Sequence, residues 1–210
     1  MSYLVVMKGF TLGLSMIVPI GAQNAMILNQ GINRNHHLLA AALCAFYDIL
    51  LISVGIMGGS LILNSSDIMF TLLTWGGILF LIGYGASSYQ AAFSEQTSDK
   101  DSKSTAHKSI KVVVLTSLVV TFLNPHAYID TVMVIGSVGG QFEGLNKYYF
   151  MAGTMAASLV WFFTLASGAA KLAHILARPK VKQGIDFTIA AIMWIIAASL
   201  FQSWIERFYS

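Results

Sequence analysis

Residues 4–28 read LVVMKGFTLGLSMIVPIGAQNAMIL. A helix that crosses a bilayer needs about 20 predominantly apolar residues, and this run is long enough. Yet Pro19-Ile20-Gly21-Ala22-Gln23-Asn24 interrupts it past its middle. Proline lacks the N–H that a helix interior requires and breaks the ladder there. The same combination recurs in residues 110–138, where Asn124-Pro125-His126 divides another apolar run. A spanning segment broken near its centre by proline and amides is the sequence form of a discontinuous transporter helix.

Four more apolar runs flank these two, giving six candidate spans at 4–28, 38–63, 68–93, 110–138, 148–172 and 185–201. The composition demands such a solvent. Of 210 residues, 56% are apolar and 10% charged, and mean hydropathy is +0.71. Soluble chains carry about 25% charge. The first run is too long for a secretory signal peptide, and Lys8 lies inside it rather than before it, so it is expected to stay attached. The net charge of +3 is small and scattered, which argues against nucleic acid. A single cysteine, Cys44, excludes an intramolecular disulfide, a CxxC redox pair and a cysteine-based zinc cluster; within an apolar run it reads as a small buried hydrophobe.

Residues 94–109, SEQTSDKDSKSTAHKS, are too polar to cross lipid. They divide the chain into halves of three helices, 1–93 and 110–210. Because three is odd, the second half enters the membrane from the opposite side. The expected fold is therefore an all-α polytopic membrane protein, a single domain of about six transmembrane helices arranged as a 3+3 inverted repeat with helices 1 and 4 broken. Only the two prolines, 106 positions apart, align well between the halves. Lysine and arginine favour the cytoplasmic side. With six spans, nine of the twelve fall on one side (Arg34, the three lysines of the central loop with Lys111, and the four from Lys171 to Lys182), which makes those loops cytoplasmic and places both termini outside. Tyr3, Tyr148, Tyr149, Trp204 and Tyr209 suit an outer aromatic belt.

At the breaks, Asn124 before Pro125 has the pattern of an N-cap followed by a first-turn proline. Half-helices starting near Pro19 and Pro125 would meet near the midplane, each with unpaired N–H groups and about half a positive charge at its start. Such a pair suits a carboxylate. Asp48 lies near the centre of helix 2, where an ionised carboxylate costs about 2.5–3.5 kcal/mol on insertion scales, so it should face the bundle interior. Asp130 follows Pro125 by five residues, with His126 one turn before it on the same face. That pair could hold a proton or could cap the half-helix. Gln23, Asn24 and Asn124 either coordinate a ligand or satisfy opened backbone. Gly9/Gly13, Gly55/Gly59 and Gly136/Gly140 have the spacing of close helix contacts. Arg34, His36 and His37 read as an interfacial turn rather than a metal site. No P-loop, HExxH or GxSxG is present, so neither an enzyme nor a cofactor is expected.

These motifs carry a resemblance. Pro19-Ile20-Gly21-Ala22-Gln23-Asn24-Ala25 with Asn29-Gln30-Gly31-Ile32, then Thr74-Trp75-Gly76-Gly77, the stretch Leu123-Asn124-Pro125-His126-Ala127-Tyr128-Ile129-Asp130-Thr131, and Gly136-Ser137-Val138-Gly139-Gly140-Gln141, resemble the LysE family of amino-acid exporters, and most of all its arginine-exporting branch. The likeness covers nearly the whole chain except residues 94–109 and the ends. One departure is Ala22, where the family pattern usually has a second proline. The resemblance implies a multi-pass carrier of the bacterial inner membrane that exports basic amino acids on the proton-motive force, with functional weight on Asp48 and Asp130. Expected partners are L-arginine, L-lysine, protons and the lipid bilayer; a homo-oligomer is compatible. Export of neutral amino acids such as homoserine or threonine is the alternative reading. A metal or redox membrane protein of related fold, or a non-transporting subunit, fits the lone cysteine and the intramembrane acids less well.

Overall fold

The structure, a computed structural model, describes residues 2–19, 21–59, 67–93, 109–124 and 127–209. Every element among them is helical, with no strand. Helices α1 (Ser2–Ile17) and α2 (Ala22–Ile32) form the first unit. Helix α3 (His37–Val54) runs on through Gly55–Gly59, where Gly58 leaves helical geometry (φ 116°, ψ 8°) and kinks the chain. Helix α4 is Asp67–Phe93. Helix α5 (Ile110–Phe122) is followed by α6, which is π-helical over Tyr128–Ile135 and α-helical over Gly136–Gly140. Helix α7 is Leu145–Lys171, α8 a single turn at Ala173–Leu176, and α9 Pro179–Tyr209.

Each of the six apolar runs is thus mainly helical over its described residues, and the chain is a multi-pass membrane protein. His37–Gly58, Leu145–Lys171 and Pro179–Glu206 are each long and apolar enough to cross a bilayer, and α1 with α2 passes the same test as one broken span. Helix α4 has 27 residues, about 40 Å at 1.5 Å per residue, against a hydrocarbon core of about 30 Å. The interruption expected at Pro19 to Asn24 falls between Ile17 and Ala22, where the axis bends by 78°. A single proline is accompanied by this bend even with Ala22 in place of a second one. Of the second break, Pro125 and His126 lie outside the described residues, as do Ile20 and residues 94–108.

Glycines determine how the helices stack. A Cβ on Gly9 would fall 2.1 Å from the Phe150 carbonyl oxygen, and one on Gly153 would fall 2.1 Å from that of Val6. Only hydrogen fits at either place, so α1 and α7 touch backbone to backbone. The Thr154 hydroxyl seals the contact by donating to the Gly9 carbonyl at 3.2 Å. Gly13 meets Ala157, and Gly31 on α2 meets Ala166 and Ala169. Arg34 Nε then donates to the Ala170 carbonyl at 3.2 Å, near the end of α7. Read in order, these contacts carry α1 and then α2 alongside α7 from its beginning to its end, in the same direction.

On the other flank α3 packs on α6. A Cβ on Gly55 would meet Val132 Cα at 2.8 Å, and one on Gly136 would meet the Gly55 carbonyl at 2.8 Å. Of the proposed Gly136/Gly140 face, only Gly136 packs this way. Gly140 has open space beside it, and its neighbour Gly139 is the residue set against Ile56 and Phe150. Helices α4 and α9 run antiparallel: Trp204 Nε1 donates to Thr71 Oγ1 at 3.3 Å, Trp75 meets Phe201 and Trp204 edge-on, and Phe93 meets Phe187. Ile78, Leu81, Ile189 and Met193 join this pair to a core shared with Ala25, Ile27, Ala41 and Phe162.

The packing predicts an asymmetry between glycines. Replacing Gly9 by Val should cost at least about 1–3 kcal/mol, the usual range for overpacking, because backbone rather than a flexible side chain blocks the space. Gly140→Ala should be neutral within a few tenths. Thermal unfolding of the detergent-solubilised variants measures both.

Candidate functional site

The first break has its own internal chemistry. Helix α2 starts at Ala22, with Gly21 before it in extended conformation (φ −119°, ψ −175°). Its first intrahelical bond runs from the Ala25 N–H to the Gly21 carbonyl at 2.9 Å. The first-turn N–H groups precede that bond, and their residues line a central cavity. The end of α1 leaves carbonyls instead. Asn24 covers them: its Nδ2 donates to Ile17 O at 2.8 Å and Pro19 O at 2.7 Å, with a longer contact to Val18 O at 3.4 Å. Its Oδ1 accepts from the Trp161 indole N–H at 3.0 Å. Of the two readings open for Asn24, this one is the satisfaction of opened backbone. In a lipid environment that role matters, because no water replaces a lost partner.

Gln23 points elsewhere. Its Nε2 donates to Asp48 Oδ1 at 3.0 Å and to Thr121 Oγ1 at 3.0 Å. Asp48 is 2% exposed. Its second oxygen accepts from the Ser158 hydroxyl at 3.0 Å. Each carboxylate oxygen therefore holds one bond from a neutral donor. Four helices meet in this network: α2 through Gln23, α3 through Asp48, α7 through Ser158 and, by way of Gln23, α5 through Thr121.

The second break closes the site. Asn124 is non-helical and buried, and its carbonyl accepts from the Ala127 N–H at 3.1 Å. The residue directly before the following helix is Ala127, and the cap pattern expected at Asn124-Pro125 falls partly outside the described residues. Asp130 follows on the π-helical stretch Tyr128–Ile135, half-buried, and the Thr131 hydroxyl donates to the Ala127 carbonyl. The longer turn of a π-helix is a common mark of functional sites. Asp48 and Asp130 lie within electrostatic reach of each other.

Pro19, Gly21, Gln23 and Asn24 from the first break, Asp48 from α3, and Asn124, Asp130 and Thr131 from the second line one cavity of about 50 Å³. At about 10–15 Å³ per water this holds about three to five waters. That volume is smaller than an amino acid. The fold thus brings together Asp48, Asp130, Asn124, Gln23 and Asn24 around one cavity, while His126 and Pro125 lie outside the described residues. Among the described residues there is no group of three His, Cys, Asp or Glu that could hold a metal.

Three participants went unnoticed in the sequence: Thr121, Ser158 and Trp161. Thr121 and Ser158 are fully buried, yet one more Ser or Thr in an apolar helix carries no signal by itself. A Trp deep in a span, away from the interfacial belt, needs a partner for its N–H, and that could have flagged Trp161.

The model of the LysE type translocator family matches residues 14–203. The chain is 50% identical over 194 residues to a protein of Aeromonas salmonicida named as an amino-acid transporter, YggA, covering 92% of this chain and 94% of that one. It is 43% identical over 198 residues to the arginine exporter protein ArgO of Pectobacterium carotovorum, covering 94% and 97% of the two chains. Its identity to the ArgO of Klebsiella pneumoniae strain 342 is 45% over 193 residues, covering 92% and 91%. No solved structure matches the chain.

Removing Asn24 should expose its role at the break. Asn24→Leu strips the carbonyls of Ile17 and Pro19 and the Trp161 N–H of their shared partner, at about 1–3 kcal/mol for each buried group left unpaired. Trp161→Phe removes one bond only and should cost less. Unfolding midpoints of the two variants in the same detergent give the comparison.

Proposed function

The chain belongs to the LysE type translocator family, and on that premise we propose that it exports L-arginine, with L-lysine as a second substrate, from the cytoplasm in exchange for protons. The observation that carries the reading is the convergence of two carboxylates, Asp48 and Asp130, and two helix breaks on one cavity. A free amino acid with a cationic side chain carries three charged groups: an α-carboxylate, an α-ammonium and the side-chain cation. The first-turn N–H groups of α2 and the start of α6 suit its carboxylate. Asp48 and Asp130 suit its guanidinium or ammonium group, and a carboxylate can take a guanidinium through two parallel bonds. A neutral amino acid has one cationic group to pair, its α-ammonium, whereas a basic one has two, which matches two acids. Two arginine exporters at 43% and 45% identity over more than nine-tenths of the chain point the same way.

The proton enters through electrostatics. Moving one positive charge out of a negative-inside cell costs about 2.3 kcal/mol per 100 mV. Exchange for one inward proton cancels that term and leaves the pH and substrate gradients as the drive. In this scheme Asp48 and Asp130 carry the proton and the cation alternately, Asn124 stands at the second break beside them, and Pro19 and Gly21 keep α1 and α2 apart at the first.

The inverted 3+3 plan belongs to the same proposal. Its support is a packing pattern that turns over on itself: α1 and α2 against α7 correspond to α5 and α6 against α3, while α3 against α7 and α4 against α9 each map onto themselves. The unit α5–α6 then runs opposite to α1–α2, and the breaks meet at one level. All six units cross the inner membrane, with the basic loops in the cytoplasm.

The test uses the protein in liposomes loaded with labelled arginine, with acid imposed outside. Wild-type protein should release arginine faster under the gradient, and Asp48→Asn and Asp130→Asn should lose at least about tenfold of that rate. Export by Asp48→Asn at the wild-type rate across a range of pH would remove Asp48 from the mechanism. Lysine should compete for release and homoserine should not.

A further inference from the structure

Asp48 is already spoken for. Oδ1 accepts from Gln23 and Oδ2 from Ser158, both at 3.0 Å. Gln23 is the less ordinary of the two partners. Its amide nitrogen has two hydrogens and uses both, one on Asp48 and one on the Thr121 hydroxyl at 3.0 Å. Thr121 sits in the last turn of α5, three residues before Asn124 at the second break. One primary amide therefore ties the helix after the first break to the helix before the second, and it does so through the oxygen that a cation needs.

We propose that Gln23 is a latch: its amide occupies the place of the substrate's cationic group on Asp48, and its displacement by that group frees Thr121 and lets the two breaks separate. The proposal rests on the reading of Asp48 as the cation's partner. A guanidinium that docks on both oxygens competes with the amide at Oδ1. Its bonds are charge-assisted and stronger than the neutral ones it replaces. The amide then loses both bonds in one movement, because the same nitrogen makes them. A neutral side chain offers no such exchange, since it would trade one ordinary hydrogen bond for another. Selection for a cation and opening of the cavity are thereby the same event. The small volume between the breaks agrees with a latched resting state: about 50 Å³ admits water and no amino acid.

The chain carries its own reporter. Cys44, the only cysteine, is fully buried one turn before Asp48, beside the Thr121 hydroxyl. When Thr121 is released, the thiol should become easier to reach.

The experiment compares wild type, Gln23→Leu and Thr121→Val as full-length proteins, by arginine titration in detergent, by labelled-arginine efflux from liposomes, and by the rate at which a membrane-permeant maleimide labels Cys44. Gln23→Leu keeps the bulk and removes the competitor. Its arginine Kd should fall roughly fivefold, the factor one neutral hydrogen bond is worth. Maximal efflux should fall, and Cys44 should label fast without arginine. Thr121→Val loosens the amide from its other end and should move Kd the same way. A side chain that merely ligates substrate would raise Kd when removed, and one that merely packs would leave the labelling rate alone. An unchanged or raised Kd in both variants, with wild-type efflux intact, overturns the latch alone. Wild-type protein that binds arginine but releases none overturns the export reading alone. Wild type that neither binds nor releases it overturns both.

Discussion

A carboxylate at the centre of a lipid-spanning helix is the constraint on which the rest depends. Asp48 could not face lipid, where an unpaired charge costs kilocalories. It turns inward and takes hydrogen bonds from Gln23 and Ser158. Those bonds fix the rotation of α3 about its axis. They also require α2 and α7 to present polar groups at the same height, and Thr121 on α5 completes the set through Gln23. Four helices are thus held in register by one buried polar network. Such networks strengthen in a low dielectric when every member is satisfied.

The second constraint is the backbone. In lipid each opened N–H or C=O needs a partner, so a break in a helix is tolerated only where neighbours supply one. Asn24 supplies it for the end of α1, and Trp161 holds Asn24 in turn. Close approach of helices makes this economical in space. At Gly9 against Phe150, and at Gly55 against Val132 and Gly136, backbones touch with no side chain between them, and dispersion contacts of that kind drive association where hydrophobic burial cannot. The outcome is a close-packed scaffold around the two breaks.

Much of this was legible in the sequence because the physics is local. Six apolar runs, the proline at position 19, the amides beside it and an acid within a span are each visible without a partner. The helix-packing role of Gly9 and Gly13 followed from spacing alone. The same rule failed for Gly140, because spacing says which residues share a face and not where two helices diverge. Asn24 had two open readings that spacing could not separate. Its actual partners are carbonyls of its own chain five to seven residues back, reached only because the axis bends by 78°.

Sequence by itself therefore determined the solvent, the helical class, the places where helices break and the acids that must be sheltered. Those properties follow from the free energy of each side chain or peptide group in lipid, which is independent of its neighbours. The tertiary structure alone decided which groups shelter them. Ser158 lies 110 residues from Asp48, and Thr121 lies 98 from Gln23. Nothing in a one-dimensional pattern distinguishes these hydroxyls from the other Ser and Thr residues of apolar helices. Their meaning arises when packing sets the height and rotation of each helix, because a hydrogen bond depends on distance and angle rather than on composition.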